Sequence, residues 1–295
     1  MVNTKSLISS QNTIKKIVTI SGYGFHTGLF SSLRLKPAEI DTGIVFIRVD
    51  INPHVKIKVT PFSIKQVHMK TVLISSEDTN IEISTIEHLM SSIYMFGVDN
   101  IYIEIDNEEV PILDGNSYRF FCLLEEAGLH LQKKPRVTKK IRKTIRIEEN
   151  NKFVQVEASN SLSFQFQTNW IHPFMKSLPN FFIFSPSETS YKYEISKART
   201  FGLLSNLKFL LNNNLAQGAS LRNVICISNK GILNENKLSY KNEFIKHKIL
   251  DAIGDFYVGG NILGNFVCYN SGHVLNNKLL RAILSEENSF SYEYG

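Results

Sequence analysis

Apolar and polar residues alternate with a period of two near the start of the chain, at 17–21, 33–35, 43–49 and 55–59, with glycine-rich turns between. That period predicts β-strands with one buried face. From 83 to 96 the period changes. Ile86, Leu89, Met90, Ile93 and Tyr94 recur at helical spacing, with Ser84 or Thr85 suited to cap the start and Gly97 to end the helix. A strand at 100–106 follows, then a helix at 118–127 stopped by Gly128. A charged stretch, 132–143, reads as a solvated linker and places the domain boundary, giving domains 1–131 and 132–295. Beyond it the pattern predicts strands at 144–148, 153–158 and 162–168. A looser segment, 169–217, holds a short helix near 203–211. A strand at 224–228, a helix at 242–258, a strand at 265–270 and a helix at 276–285 complete the chain.

The second half echoes the first. Helix, strand and helix occur in that order in both, and the offset that aligns the strands, roughly 160 residues, also sets Asp251 opposite His88. Strands in runs with helices after them predict an α+β fold built from a duplicated helix-on-sheet unit.

Composition narrows the classes. Of 295 residues, 43% are hydrophobic and 20% charged, an ordinary globular balance. The net charge of +6 suits an anionic partner, but no dense Arg/Lys run with interleaved aromatics supports a nucleic-acid groove, so nucleic acid is not expected as a partner. Cys122, Cys226 and Cys268 lie far apart in apolar surroundings and form neither a disulfide framework nor a Cys-x-x-Cys zinc pair. No apolar leader opens the chain and no run of eighteen apolar residues follows. A soluble cytoplasmic protein is expected, with peripheral membrane contact compatible.

Among eight histidines, neighbours separate the candidates. His247 and Asp251 stand four apart, which puts both on one helix face about 5–6 Å apart at Cβ, close enough to share a metal. Asp255 continues that face. An exposed His–Asp ion pair satisfies the same spacing. A catalytic zinc takes three protein ligands and keeps one position for water. His88 is the best third donor, because Glu87 and His88 interrupt an otherwise apolar helix and a carboxylate beside a zinc ligand suits water activation. A helix-capping Glu87 beside a surface His88 is the simpler alternative. His273, in a turn between strand and helix, suits a general acid or a plain cap. His26 sits in a loop with three glycines that lacks the Lys-Ser/Thr ending and Gly-x-Gly-x-x-Gly spacing of a phosphate loop.

The ordered segments SGYGFHTG (21–28), TGIVFIRVD (42–50), STIEHLMSSIYMFGVDN (84–100), EVPILDGNS (109–117), ARTFG (198–202), GASL (218–221), EFIKHKILDAIGD (243–255) and SGHVLNNKLLRAIL (271–284) run over nearly the whole chain. In them the sequence resembles the UDP-3-O-acyl-N-acetylglucosamine deacetylases, zinc enzymes at the committed step of lipid A synthesis in Gram-negative bacteria. The resemblance implies a metal-dependent amidohydrolase with zinc on His88, His247 and Asp251; such a set accepts Fe2+ as well. It implies Glu87 as general base, His273 as general acid, Asp255 orienting His273, and Lys248 and Thr200 at the oxyanion or substrate. Phe201, Trp170 and His26 are implied as substrate-binding.

It further implies two similar domains, each a sheet with two helices, facing one another across the active site. An insert at about 194–217 would line an apolar passage for the acyl chain, through residues such as Leu203, Leu204, Leu207 and Leu210. The partner implied is a UDP-linked acylated amino sugar, with no obligate protein partner and with transient contact at the inner membrane compatible. A degenerate relative acting as a binding module would keep this fold, but every implied catalytic position is intact. Two positions depart from the family pattern. Asn169 replaces an acid beside the aromatic, here Trp170, that stacks on uracil, and Arg222 replaces an acid after Gly-x-Ser-Leu.

Overall fold

The computed structural model describes residues 10–235 and 238–295; the first nine residues of the expected first domain, and of the stretch read for a leader, lie outside the described residues. Two five-stranded sheets form the frame. The first contains β1 (Val18–Tyr23), β2 (Phe30–Pro37), β3 (Ile44–Arg48), β4 (Val55–Lys58) and β5 (Ile101–Ile105). The second contains β6 (Ile145–Glu149), β7 (Lys152–Glu157), β8 (Ser163–Gln167), β9 (Phe181–Phe184) and β10 (Asn265–Tyr269).

The strand order is β1-β2-β5-β3-β4 in one sheet and β6-β7-β10-β8-β9 in the other. In each, the single parallel pairing joins the last strand to the third, β5 to β3 and β10 to β8. The suspected duplication is therefore real at the level of topology. Each sheet buries one face because its strands alternate, as β5 does with Ile101, Ile103 and Ile105 inward.

Four helices fill the space between the sheets: α1 (Glu87–Phe96) and α2 (Tyr118–Ala127) from the first half, α5 (Glu243–Tyr257) and α6 (His273–Ser285) from the second. Two shorter helices, α3 (Glu188–Glu194) and α4 (Leu207–Asn212), lie in the segment between β9 and α5. α1 and α5 cross at the centre. A Cβ on Gly254 would lie 2.0 Å from the Glu87 carbonyl oxygen, so only glycine allows this approach. Farther along, the rings of Tyr94 and Tyr257 stack at 4.4 Å. One apolar core, including Phe46, Phe121, Phe164 and Phe256, runs through both halves.

Several local expectations change. The helix expected from 83 begins at Glu87, and Ile83 and Ser84 belong to a short strand, Glu82–Ser84. Neither Ser84 nor Thr85 caps it by side chain, because Thr85 turns left-handed, with φ 60, ahead of Ile86 at the N-cap. Gly97 ends it as expected, with φ 84. The charged stretch at 132–143 is not a solvated linker. Leu129–Pro135 pairs with Ser10–Ile14, and Val137–Ile141 pairs with Phe290–Tyr294. Val137–Ile141, with Lys139 and Lys140, is the middle strand of a three-stranded sheet, flanked by Ile262–Leu263 and Phe290–Tyr294. The helix expected at 203–211 shrinks to α4, preceded by a strand, Phe201–Leu203, and a 3-10 turn. The last helix starts earlier than 276, at His273 itself.

Candidate metal centre and catalytic cleft

The helix crossing decides the site. It sets Glu87 and His88, in the first turn of α1, against one face of α5 that carries His247, Lys248 and Asp251. His88, His247 and Asp251 are all buried, and one donor atom of each lies within 4.8 Å of the others. Asp251 Oδ1 lies 3.3 Å from His247 Nε2 and 3.5 Å from His88 Nε2. That oxygen is buried and makes no hydrogen bond among the described residues. An anionic oxygen left bare in a low-dielectric interior is costly unless a cation meets it. Two imidazole nitrogens and one carboxylate oxygen fit a divalent metal of the zinc type, with room for water as a fourth ligand.

The surroundings prepare the ligands. His247 Nδ1 faces the Ala198 carbonyl oxygen at 2.9 Å, which leaves Nε2 free for metal, the usual outer support of a ligating histidine. Burial is the main reason that the His247 pKa falls to about 3, so the ring is neutral at neutral pH. Burial opposes ionisation of Asp251, but His247 and Lys248 outweigh it and hold the carboxyl well below its ordinary range. Lys248 Nζ donates to Asp251 Oδ2 at 2.9 Å. Burial disfavours the Lys248 cation; the Asp251 charge and hydrogen bond more than offset this and raise its pKa.

Beside this cluster, Glu87 and the Asp255–His273 pair are joined through one threonine. The Thr71 backbone N–H donates to Glu87 Oε2 at 3.1 Å, and its hydroxyl donates to Asp255 Oδ1 at 2.6 Å. Burial raises the pKa of Glu87, partly countered by His273 and His88, which makes it a stronger proton acceptor than an exposed carboxylate. His273 Nδ1 lies 2.9 Å from Asp255 Oδ2, and Asn276 donates to the same oxygen at 2.8 Å. Burial opposes a charge on His273, yet the Asp255 charge and hydrogen bond lead the opposing influences and its pKa is pushed up to about 9. The ring therefore carries a proton to give at neutral pH. With Asp255 on Nδ1, Nε2 remains for the cleft.

Glu87, His88, His247, Lys248, Asp251 and His273 line a single cavity of about 660 Å³, with Asp255 behind His273. Its other walls include Thr200, Phe201, Trp170 and His26, so the structure gathers every expected site residue in or directly behind one cleft. Thr200 is fixed through its backbone, which donates to the Gly115 carbonyl at 2.7 Å. Buried Arg199 pairs with Glu243 at 2.9 Å and anchors the segment that presents Ala198 and Thr200. His26 is buried, and burial leads the causes that lower its pKa to about 4, leaving it neutral. Trp170 Nε1 donates to the Pro179 carbonyl at 3.2 Å, and its ring meets Phe201 edge-on at 5.8 Å. Asn169 lines the cleft and is exposed, as is Arg222 outside it.

Leu203, Leu204, Leu207 and Leu210 line the far end of the cavity. None of the side chains of α4 is buried, and Phe209 and Leu211 are exposed, so this helix does not pack on the core. Thr71 escaped sequence reasoning because no motif marks it; only the fold brings it against a residue 184 positions away.

The family model for UDP-3-O-acyl N-acetylglycosamine deacetylase matches residues 11–285. The UDP-3-O-acyl-N-acetylglucosamine deacetylase of Francisella tularensis subsp. tularensis (strain WY96-3418) is 48% identical over 282 residues, covering 96% of this chain and 99% of the relative. Proteins of the same name from Vibrio parahaemolyticus serotype O3:K6 and Shewanella sp. (strain ANA-3) are 39% and 38% identical, over 96% and 95% of this chain and 92% and 91% of their own lengths.

Proposed function

Because the chain belongs to the UDP-3-O-acyl-N-acetylglucosamine deacetylase family, we propose that Glu87 and His273 work as base and acid on either side of a zinc ion held by His88, His247 and Asp251. The activity is hydrolysis of the acetamide of UDP-3-O-acyl-N-acetylglucosamine to UDP-3-O-acyl-glucosamine and acetate, in lipid A biosynthesis. One observation carries the assignment of residues: a buried His₂Asp set with a bare carboxylate oxygen opens on a cleft that also holds a basic carboxylate and a protonated histidine.

Zinc in this set would polarise the acetamide carbonyl and acidify a water. Glu87 takes the proton of the attacking water, a role suited by its raised pKa. The Thr200 hydroxyl and the Lys248 ammonium face the oxygen on which negative charge develops. His273 gives its proton to the departing glucosamine nitrogen, since an amine leaves poorly as an anion. Asp255 keeps the His273 ring turned toward that nitrogen. Trp170 offers a face for uracil, Phe201 and His26 border the sugar, and the leucines of α4 and the strand before it form the acyl passage. Fe2+ would serve in the same ligands.

The domain limits we propose are 1–131 and 132–295, with the passage insert at about 194–217; strand pairing lets the limit be drawn as late as Arg136. The cytoplasm is the place we propose for the reaction, with transient contact at the inner membrane. Among the described residues no helix is long and apolar enough to cross a membrane.

Mass-spectrometric assay of UDP-3-O-acyl-N-acetylglucosamine cleavage tests the reading. Loss of acetate release with a chelator, restored by sub-stoichiometric zinc, is expected. Full turnover after exhaustive chelation removes the metal from the mechanism.

A further inference from the structure

Glu109 follows β5, and its side chain is 1% exposed, yet no lysine or arginine pairs with it among the described residues. Neutral donors surround it instead. The backbone N–H of His26 reaches Oε1 at 2.9 Å, and the backbone N–H and hydroxyl of Thr27 each reach Oε2 at 2.7 Å. The Thr85 hydroxyl donates to Oε1 at 2.7 Å. Burial resists ionisation of Glu109, but these hydrogen bonds outweigh it and hold its pKa below the ordinary value.

Each donor lies where the site needs rigidity. Thr85 has φ 60, a strained conformation for a β-branched residue, and it immediately precedes the turn that carries Glu87 and His88 into the cleft. His26 and Thr27 belong to the neighbouring loop, which also borders the cavity through Phe25 and His26. That loop accepts hydrogen bonds from the end of the insert, Gln217 N–H to the His26 carbonyl at 3.1 Å and Gly218 N–H to the Phe25 carbonyl at 3.0 Å. Gly24 makes room for the carboxylate, because a Cβ there would lie 2.4 Å from Glu109 Oε2.

We infer that Glu109 is a positioning residue for the deacetylation: its carboxylate locks the left-handed turn at Thr85 to the loop 24–28, and so aims Glu87 and His88 while fixing the ledge on which the acyl passage ends. A neutral or shorter side chain loses the second acceptor oxygen that serves both partners at once. This inference rests on the assignment of Glu87 and His88 made above.

The test is turnover of full-length, zinc-loaded Glu109→Gln on the UDP-linked substrate, with zinc content and thermal unfolding measured on the same samples. Expected is a fall in kcat of about 10–100-fold, the range typical of residues that support metal ligands. Adding Thr85→Gly to Glu109→Gln should recover much of kcat, since glycine holds a positive φ without the carboxylate. A Glu109 that only supports the core gives no such rescue, and then Thr85→Gly adds a loss of its own. Wild-type kcat in Glu109→Gln, or no recovery in the double variant, overturns the inference. If Glu109→Gln does not fold, Thr85→Val removes the hydroxyl alone. Reduced kcat with zinc retained then supports the link, and unchanged kcat overturns it. Glu87→Gln run in parallel separates the two readings. An active Glu87→Gln fells the base assignment and this inference with it, whereas an inactive Glu87→Gln beside a fully active Glu109→Gln overturns only the positioning role.

Discussion

The two halves of the molecule are strung alike, with the same strand order in each sheet and two helices laid on each, and they meet where Tyr94 of α1 stacks on Tyr257 of α5. The contributions to chemistry proposed for them differ. In that proposal the first half gives a base and one ligand from adjacent residues, Glu87 and His88, at the start of a helix. The second gives two ligands a turn apart on α5, the lysine between them, and the acid with its orienting carboxylate across α5 and α6. A repeated frame thus fixes where two helices cross, while the side chains at the crossing are free to differ. The lesson is that symmetry here serves position, and asymmetry serves reaction.

The strongest way to break that division is to remove one member from each side. Glu87→Gln should lose about 10²–10⁴-fold in kcat while zinc content stays at one per chain, because only proton transfer is taken away. His247→Ala should instead lose the zinc itself, read by metal analysis after gel filtration. Zinc loss in the first variant, or full zinc in the second, would reverse the assignment of roles between the halves.

A second perturbation acts on the crossing. Gly254→Ala forces a methyl group to 2.0 Å from the Glu87 carbonyl oxygen, so α1 and α5 must separate. A destabilisation of about 1–3 kcal/mol, as for other overpacked sites, should appear in urea unfolding, with kcat lowered as well. Unchanged stability and activity would mean that the two helices are not held as closely as the geometry indicates.

The pH profile sharpens the comparison further, because the proposed base and acid come from different halves, and the proposal sets what each must do. Glu87 must be ionised, so the rate rises with pH through its pKa, which burial places above the ordinary carboxylate value. His273 must be protonated, so the rate falls as pH climbs through about 9. His273→Gln should lower the maximum and abolish the descending limb, leaving the ascending one in place. A flat profile from about pH 5 to about pH 10 contradicts paired acid–base catalysis.

The smallest effect is expected at the rim of the second half. Asn169→Asp introduces the acid that the family resemblance implies beside Trp170, the aromatic proposed to stack on uracil, at an exposed position whose backbone N–H is already tied to Asn270. A change in KM of no more than a few-fold, with kcat and stability unaltered, follows from the ordinary range for surface substitutions, about 0.5 kcal/mol. A large change in kcat would place Asn169 nearer the reaction than the cleft geometry does.

Read along the chain, the helical spacing of His247, Asp251 and Asp255, the out-of-pattern Glu87-His88 pair, and the helix–strand–helix echo were all visible, because periodicity is a local property of the backbone. Local pattern also determined most of the strands that build the two sheets. It misread 132–143 as linker, since a lysine-rich strand and a solvated connection look alike until a partner strand is known. It could not choose between a metal site and a surface ion pair at α5, as both satisfy the same spacing. Only the tertiary structure ruled out the surface pair, by burying both residues beside His88. The crossing at Gly254 buried three donors together with one carboxylate oxygen left bare, brought Thr71 between Glu87 and Asp255, and set Glu109 under the strained turn at Thr85. Each of those facts depends on contacts between residues far apart in the chain, and such contacts are fixed by packing rather than by the order of neighbours.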